Sequence, residues 1–158
     1  GIGNEMFAPN ANITRAEFVQ TLANMSGADL SKYTTSVFGD VKSDDWFNGA
    51  VQWAYENGIT YGYNGNFNPN TNISRQDLVV MLDQYNKKVA GYDLESINEA
   101  VAFADESEIA DYAKASVEAM QKAGVISGKG NNIFDPKGNA TRAEVSSMIT
   151  SLLKKVIK

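Results

Sequence analysis

The segment Ile13-Thr14-Arg15-Ala16-Glu17 constrains the fold more than any other feature, because it occurs three times. It returns as Ile73-Ser74-Arg75-Gln76-Asp77 and as Ala140-Thr141-Arg142-Ala143-Glu144. Each copy follows a Phe-x-Pro (Phe7-Ala8-Pro9, Phe67-Asn68-Pro69 and Phe134-Asp135-Pro136), and the step from that Phe to the Arg is eight residues every time. All three prolines of the chain sit in these slots. A chain that repeats itself without slippage is built from structural repeats, each too small to bury its own apolar face, which must stack or close on one another.

Each copy reads as the start of a helix. Thr14 with Glu17 and Thr141 with Glu144 have the spacing of capping boxes, and Ser74 with Asp77 is a shorter-armed version. The arginine then falls at the first helical position, where the helix dipole does not favour a cation. Two readings follow. Beside the free N–H groups of a helix start, the guanidinium forms a receptor for a carboxylate or phosphate. Alternatively it pairs with a neighbouring acid or packs between repeats. The residues by themselves allow both.

Taken in order, the chain predicts a motif helix over 14–25, with Phe18, Leu22 and Met25 on one face and Gly27 as its stop. After Phe38-Gly39-Asp40-Val41 comes a helix over 44–57, capped by Ser43 and ended by Gly58. Gly62-Tyr63-Asn64-Gly65 is a turn. The second motif helix covers 74–88, and the connector after it carries a short helix over 95–101. Phe103-Ala104-Asp105 repeats the Phe-x-Asp and precedes a helix over 108–123, which aligns Tyr112 with Trp46 and Gly124 with Gly58. The last helix runs over 141–157. The Gly1–Phe7 stretch matches Gly128–Phe134 at both glycines, the Asn and the Phe. The whole of 1–158 therefore reads as one domain: the second half of a first repeat (1–27), a second repeat (38–88) and a third (103–158).

Composition narrows the function. The net charge of −5 argues against a nucleic-acid binder, which normally carries a basic face. With no Cys and no His there is no thiolate metal site, no disulfide framework and no imidazole base. No apolar run is long enough for membrane insertion. Asn66, Asn68, Asn70 and Asn72 with Asp77 mimic a calcium loop, but four are neutral amides and Thr71 stands where the glycine belongs, so they read as solvated loop amides. Neither a metal nor a cofactor is expected. A glycosidase would need a carboxylate pair across a cleft, and the acids here mostly cap helices.

The order Phe38-x-Asp40-Val41, Trp46-Phe47-x-x-Ala50-Val51-x-x-Ala54-x-x-x-Gly58-Ile59, Gly62-Tyr63, Phe67-x-Pro69 and Ile73-Ser74-Arg75 closely resembles the S-layer homology repeat, and the resemblance covers nearly the whole chain. It implies an all-α fold of tandem helix-loop-helix repeats, arranged as a pseudo-threefold, three-pronged spindle around a central helix bundle. It also implies a non-enzymatic function: anchoring an extracellular protein to a Gram-positive-type cell wall. The implied partner is a cell-wall polysaccharide bearing a pyruvylated sugar, held in the grooves between repeats.

Carried over residue by residue, the family's site positions fall on Thr14 and Arg15, Ser74 and Arg75, and Thr141 and Arg142. They fall also on Asp40 and Asp105, on the aromatics Trp46 and Tyr112, and on the turns Gly62-Tyr63 and Gly128-Lys129. Each has a plainer alternative. The aspartates serve as turn caps, and the aromatics pack in the core. Tyr63 and Lys129, on loops, are better placed for ligand contact. A competing function is a structural module that self-associates through the incomplete first repeat. The departures from the family pattern are Gln76 and Asp77 in the second motif, Ala140 and Tyr112 in the third repeat, and Glu106 after Asp105. One or two competent grooves are expected.

Overall fold

The computed structural model describes residues 8–99 and 101–155. The loop over 1–7, with its match to the third repeat, and the helical positions given to Val156 and Ile157 lie outside the described residues. Five α-helices form among them: α1 (Arg15–Ser26), α2 (Asn48–Glu56), α3 (Arg75–Tyr85), α4 (Asp111–Lys122) and α5 (Arg142–Lys154). Strand pairing is confined there to isolated bridges, so the fold is all-α.

The motif helices α1, α3 and α5 begin where the capping residues place them. Thr14 Oγ1 accepts the Glu17 N–H at 3.1 Å, and Glu17 Oε1 accepts the Thr14 N–H at 2.9 Å. Thr141 and Glu144 repeat both bonds at the same distances. Each such cap stabilises its helix by about 1 kcal/mol. In α3 only half of the box closes: Ser74 Oγ accepts the Asp77 N–H at 3.2 Å, and the shorter Asp77 arm does not reach back.

These helix starts meet at a hub. The Ile13 N–H donates to Ala140 O at 3.2 Å, the Ala140 N–H to Ile73 O at 3.0 Å, and the Ile73 N–H to Ile13 O at 2.9 Å. Three equivalent residues thus close a ring of backbone hydrogen bonds. A second tier is also cyclic, but its donors run in the opposite sense. The N–H groups of Arg15 and Ala16 donate to Thr71 O and Pro69 O, those of Arg75 and Gln76 to Gly138 O and Pro136 O, and those of Arg142 and Ala143 to Ala11 O and Pro9 O. Each motif helix is therefore capped by the Phe-x-Pro loop of the next repeat. The prolines lack an N–H but keep the carbonyl used here, and their fixed φ stiffens the loop that presents it. Ile13, Ile73 and Ala140 are buried at the ring and belong to the same core cluster as Phe18, Phe67, Phe134, Leu78 and Leu82.

Within a repeat the two halves join through the Phe-x-Asp. The Phe38 and Phe67 rings lie 5.6 Å apart, and the Phe103 and Phe134 rings 5.3 Å apart. The Asp40 carboxylate accepts the N–H groups of Phe67 and Asn68, both at 2.8 Å. Asp105 does the same for Phe134 at 3.0 Å and Asp135 at 2.8 Å. Asn68 and Asp135 have φ of 59° and 61°, a left-handed conformation that few side chains adopt freely. Clamping its N–H from the facing Asp holds it there.

Four expectations are corrected. Helix α2 starts at Asn48, not at 44, and Ser43 is not its cap; residues 43–47 turn instead, with the Lys42 N–H donating to Asp45 at 2.8 Å. A 3₁₀ turn, Glu106–Glu108, delays α4 to Asp111. Helix α3 ends at Tyr85 and continues as a wider π-type turn, Asn86–Ala90, stopped by Gly91. No helix forms over 95–99. The connector stays extended because it satisfies the end of α4: the N–H groups of Ile97 and Asn98 both donate to Lys122 O at 2.9 Å.

Candidate functional site

Helix α1 packs against α2, and α3 against α4, so the first two motif helices each meet the first helix of the following repeat. Along α3 lies a groove of about 810 Å³, to which α4 contributes one side chain. One wall is Asp77, Met81 and Gln84 of α3 with Lys88 of the π-type turn that follows it. The opposite side carries Tyr112 of α4, and the rim is the turn from Gly58 through Tyr63. Tyr61, Tyr63 and Tyr112 are 70%, 75% and 63% exposed, a large apolar area to leave in water unless something covers it.

A polar network crosses the groove. Arg15 Nη1 donates to Asp77 Oδ2 at 2.8 Å, and Tyr112 donates its hydroxyl to Asp77 Oδ1 at 2.5 Å. In the other two copies, the oxygen that would hold a tyrosine closes the capping box instead. The sequence departure at Asp77 therefore exchanges a cap bond for a bridge to the next repeat. Burial of the phenol, then the bond to Asp77 and its charge, push Tyr112 well above its ordinary pKa. The neighbouring departure has the same effect: Gln76 Oε1 accepts the Ala110 N–H at 2.9 Å, at the start of α4.

The three motif arginines are engaged internally, by the second of the two readings allowed above. Arg15 pairs with Asp77, Arg75 with Glu144 and Arg142 with Glu17, again in cyclic order. Arg15 Nε also donates to Phe67 O at 2.8 Å, and Arg75 Nε to Phe134 O at 2.7 Å. Their guanidinium carbons sit 4.9 and 5.3 Å from the centroids of those same phenylalanine rings. Arg75 is buried at 2% exposure. The helix-start N–H groups are likewise taken, by the next loop and by the Thr or Ser cap. A free anion receptor at these helix starts is therefore not what the geometry provides. A cation at the first helical position is retained because it bonds one repeat to the next.

The other predicted residues fall at the groove, at caps and loop clamps, or away from both. Gly62, Tyr63, Ser74 and Tyr112 line the α3/α4 groove together with Arg15. Thr14 and Thr141 cap helices, while Asp40 and Asp105 clamp loops. Gly62 is required by packing: a Cβ there would lie 2.4 Å from the Phe38 ring and 2.5 Å from Asn66 O. Gly128 is crowded less severely, with Ile133 O at 3.0 Å. Lys129 pairs with Asp135 at 3.0 Å, away from the groove. Trp46 is 66% exposed and leans on Phe47, while the core tryptophan is Trp53 at 3%. Sequence reasoning missed Trp53, Tyr61 and Lys88. The thirteen-residue step from Arg75 to Lys88, repeated from Arg142 to Lys155, was a signal for the lysine.

The sequence matches the S-layer homology domain over residues 1–19, 37–79 and 102–146, well over half of the chain. The chain belongs to the S-layer homology family. It is 36% identical over 155 residues to an amylopullulanase of Thermoanaerobacterium thermosulfurigenes, covering 98% of this chain and 8% of that protein. It is 35% identical over 155 residues to the exoglucanase XynX of Acetivibrio thermocellus, covering 98% of this chain and 14% of that protein. A cellulosome-anchoring protein of Acetivibrio thermocellus is 26% identical over 163 residues, covering 98% of this chain and 35% of that protein. This S-layer homology chain thus spans a minor part of each of these relatives. No helix among its described residues is long and apolar enough to cross a membrane.

Proposed function

We propose that this S-layer homology chain is a non-catalytic anchor. It holds an extracellular protein to the cell wall, non-covalently, by binding a secondary cell-wall polysaccharide. A pyruvylated sugar of that polymer enters the groove between α3 and α4. The observation that carries this reading is the groove itself. It is open, sugar-sized and rimmed by three exposed tyrosines whose flat faces suit sugar rings. Its charged lining consists of Arg15, Lys88 and Asp77, a net positive charge in a chain of −5 overall. A ketal-linked pyruvate supplies the one carboxylate that such a groove would favour.

The relatives support the anchoring part. Two bear enzyme names and one bears an anchoring name, yet each shares with this chain one stretch of about its own length. A stretch common to parents of such different names fits attachment better than catalysis. Purified cell wall carrying the pyruvylated polymer should retain the chain in a pull-down, and free pyruvylated N-acetylmannosamine should release it. Equal retention on wall stripped of that polymer would contradict the proposal.

A further inference from the structure

The motif arginines are committed to acids of the next repeat, so the cation that meets the sugar's carboxylate must be sought elsewhere. Lys88 is exposed, lines the groove, and takes part in none of the ion pairs among the described residues. Its neighbour in sequence, Lys87, is held instead by Asp83 at 3.1 Å. The stem of Lys88 lies across Gly58: a Cβ at that glycine would stand 3.7 Å from Lys88 Cε and 3.3 Å from the Tyr61 hydroxyl. Gly58, at φ of 75°, thus brings an ammonium and a phenol to one end of the groove with a bare backbone beneath them. An ammonium adjacent to a hydroxyl donor is a carboxylate receptor, and among the described residues no acid pairs with it.

The third repeat makes the same arrangement and closes it. Lys155 stands beside Gly124 as Lys88 stands beside Gly58, its Nζ 3.1 Å from where a Cβ would be. The residue equivalent to Tyr61 is Ser127. The space a tyrosine would take is filled by Ile97, whose Cδ1 lies 2.9 Å from the same point. Ile97 is brought there by the connector, which is hydrogen-bonded to the last carbonyl of α4.

We propose that Lys88, and not the motif arginines, is the anion seat of the groove, and that its counterpart at Lys155 is covered by the connector at Ile97. This rests on the sugar-binding reading above and names the residue that selects the acidic substituent.

The test is calorimetric titration of the purified chain with pyruvylated N-acetylmannosamine and with the unpyruvylated sugar. Wild type should prefer the pyruvylated form. Lys88→Gln should bind it about tenfold to a hundredfold more weakly and no longer distinguish the two sugars. Lys88→Arg should keep the preference, and Lys155→Gln should behave as wild type. Because Lys88 is exposed and unpaired, Lys88→Gln should melt with wild type, which separates lost recognition from lost folding. If Lys88→Gln keeps the preference, the seat is wrong while the sugar-binding reading stands. If wild type itself shows no preference, that reading falls and the seat with it. If Lys155→Gln weakens binding as much as Lys88→Gln, the covering by Ile97 is refuted.

Discussion

At the scale of single residues, the same side-chain types serve the fold and the groove, and burial decides between them. Arg75 holds Glu144, a backbone carbonyl and an aromatic face at once, out of water. Removing one partner of such a pair leaves the other unsatisfied. Arg75→Ala should therefore cost about 3 kcal/mol of folding stability, measured by urea denaturation. A variant as stable as wild type would mean that the pair is not integral to the hub. Asp105 is comparable: its carboxylate receives two backbone N–H groups, so Asp105→Ala should cost about 1.5–3 kcal/mol in the same assay. The capping residues were legible in the sequence because caps act over three residues. The destinations of Arg15, Arg75 and Arg142 were not, because their partners lie in another repeat, 62, 69 and 125 positions away.

At the scale of elements, the motif helices were legible from their hydroxyl-x-x-acid starts and apolar stripes. Helix α2 was read as too long because Trp46 and Phe47 look like the beginning of its stripe. In fact Phe47 is buried from a turn, and Trp46 points to solvent. A short helix is expected over 95–101, but the N–H groups of Ile97 and Asn98 go to the carbonyl of Lys122 instead. Asp77 shows how one methylene moves a function between elements. Asp77→Glu restores the longer arm of the other two motifs, so the carboxylate should return to the Ser74 N–H and let go of the Tyr112 hydroxyl. Ultraviolet titration should then find Tyr112 ionising at lower pH than in wild type, with helix stability changed by less than about 1 kcal/mol. An unchanged Tyr112 titration would mean that burial alone sets it.

At the scale of the whole molecule, the cyclic order of hub bonds, loop caps and ion pairs makes each repeat the support of its neighbour. The cycle and the clamps within each repeat both include carboxylates on which stability depends. For Glu17, burial raises the pKa, but the Thr14 N–H and the charge of Arg142 outweigh it and hold the group below 4.5. For Asp105, burial is outweighed by the N–H groups of Phe134 and Asp135, which with its own N–H and the charge of Arg75 hold it below 3.8. Groups depressed on folding contribute fully above their unfolded pKa, and the contribution is lost as pH falls through the folded value. The melting temperature should thus be level from about pH 6 to 8, where a chain without His has no side chain of ordinary pKa to titrate, and fall below about pH 4.5. A melting temperature that rises on acidification would contradict the assignment.

The groove between α3 and α4 is the feature that the proposal places against the wall polymer. The most direct measurement is a nuclear magnetic resonance titration of the isotopically labelled chain with pyruvylated N-acetylmannosamine. Saturable shifts are predicted at the amides of Gly58, Tyr61, Gln84, Lys88 and Tyr112, with the hub amides of Ile73 and Ala140 unmoved. Saturable shifts confined to another face, or none at millimolar sugar, would contradict the proposal that this groove attaches the chain to the wall.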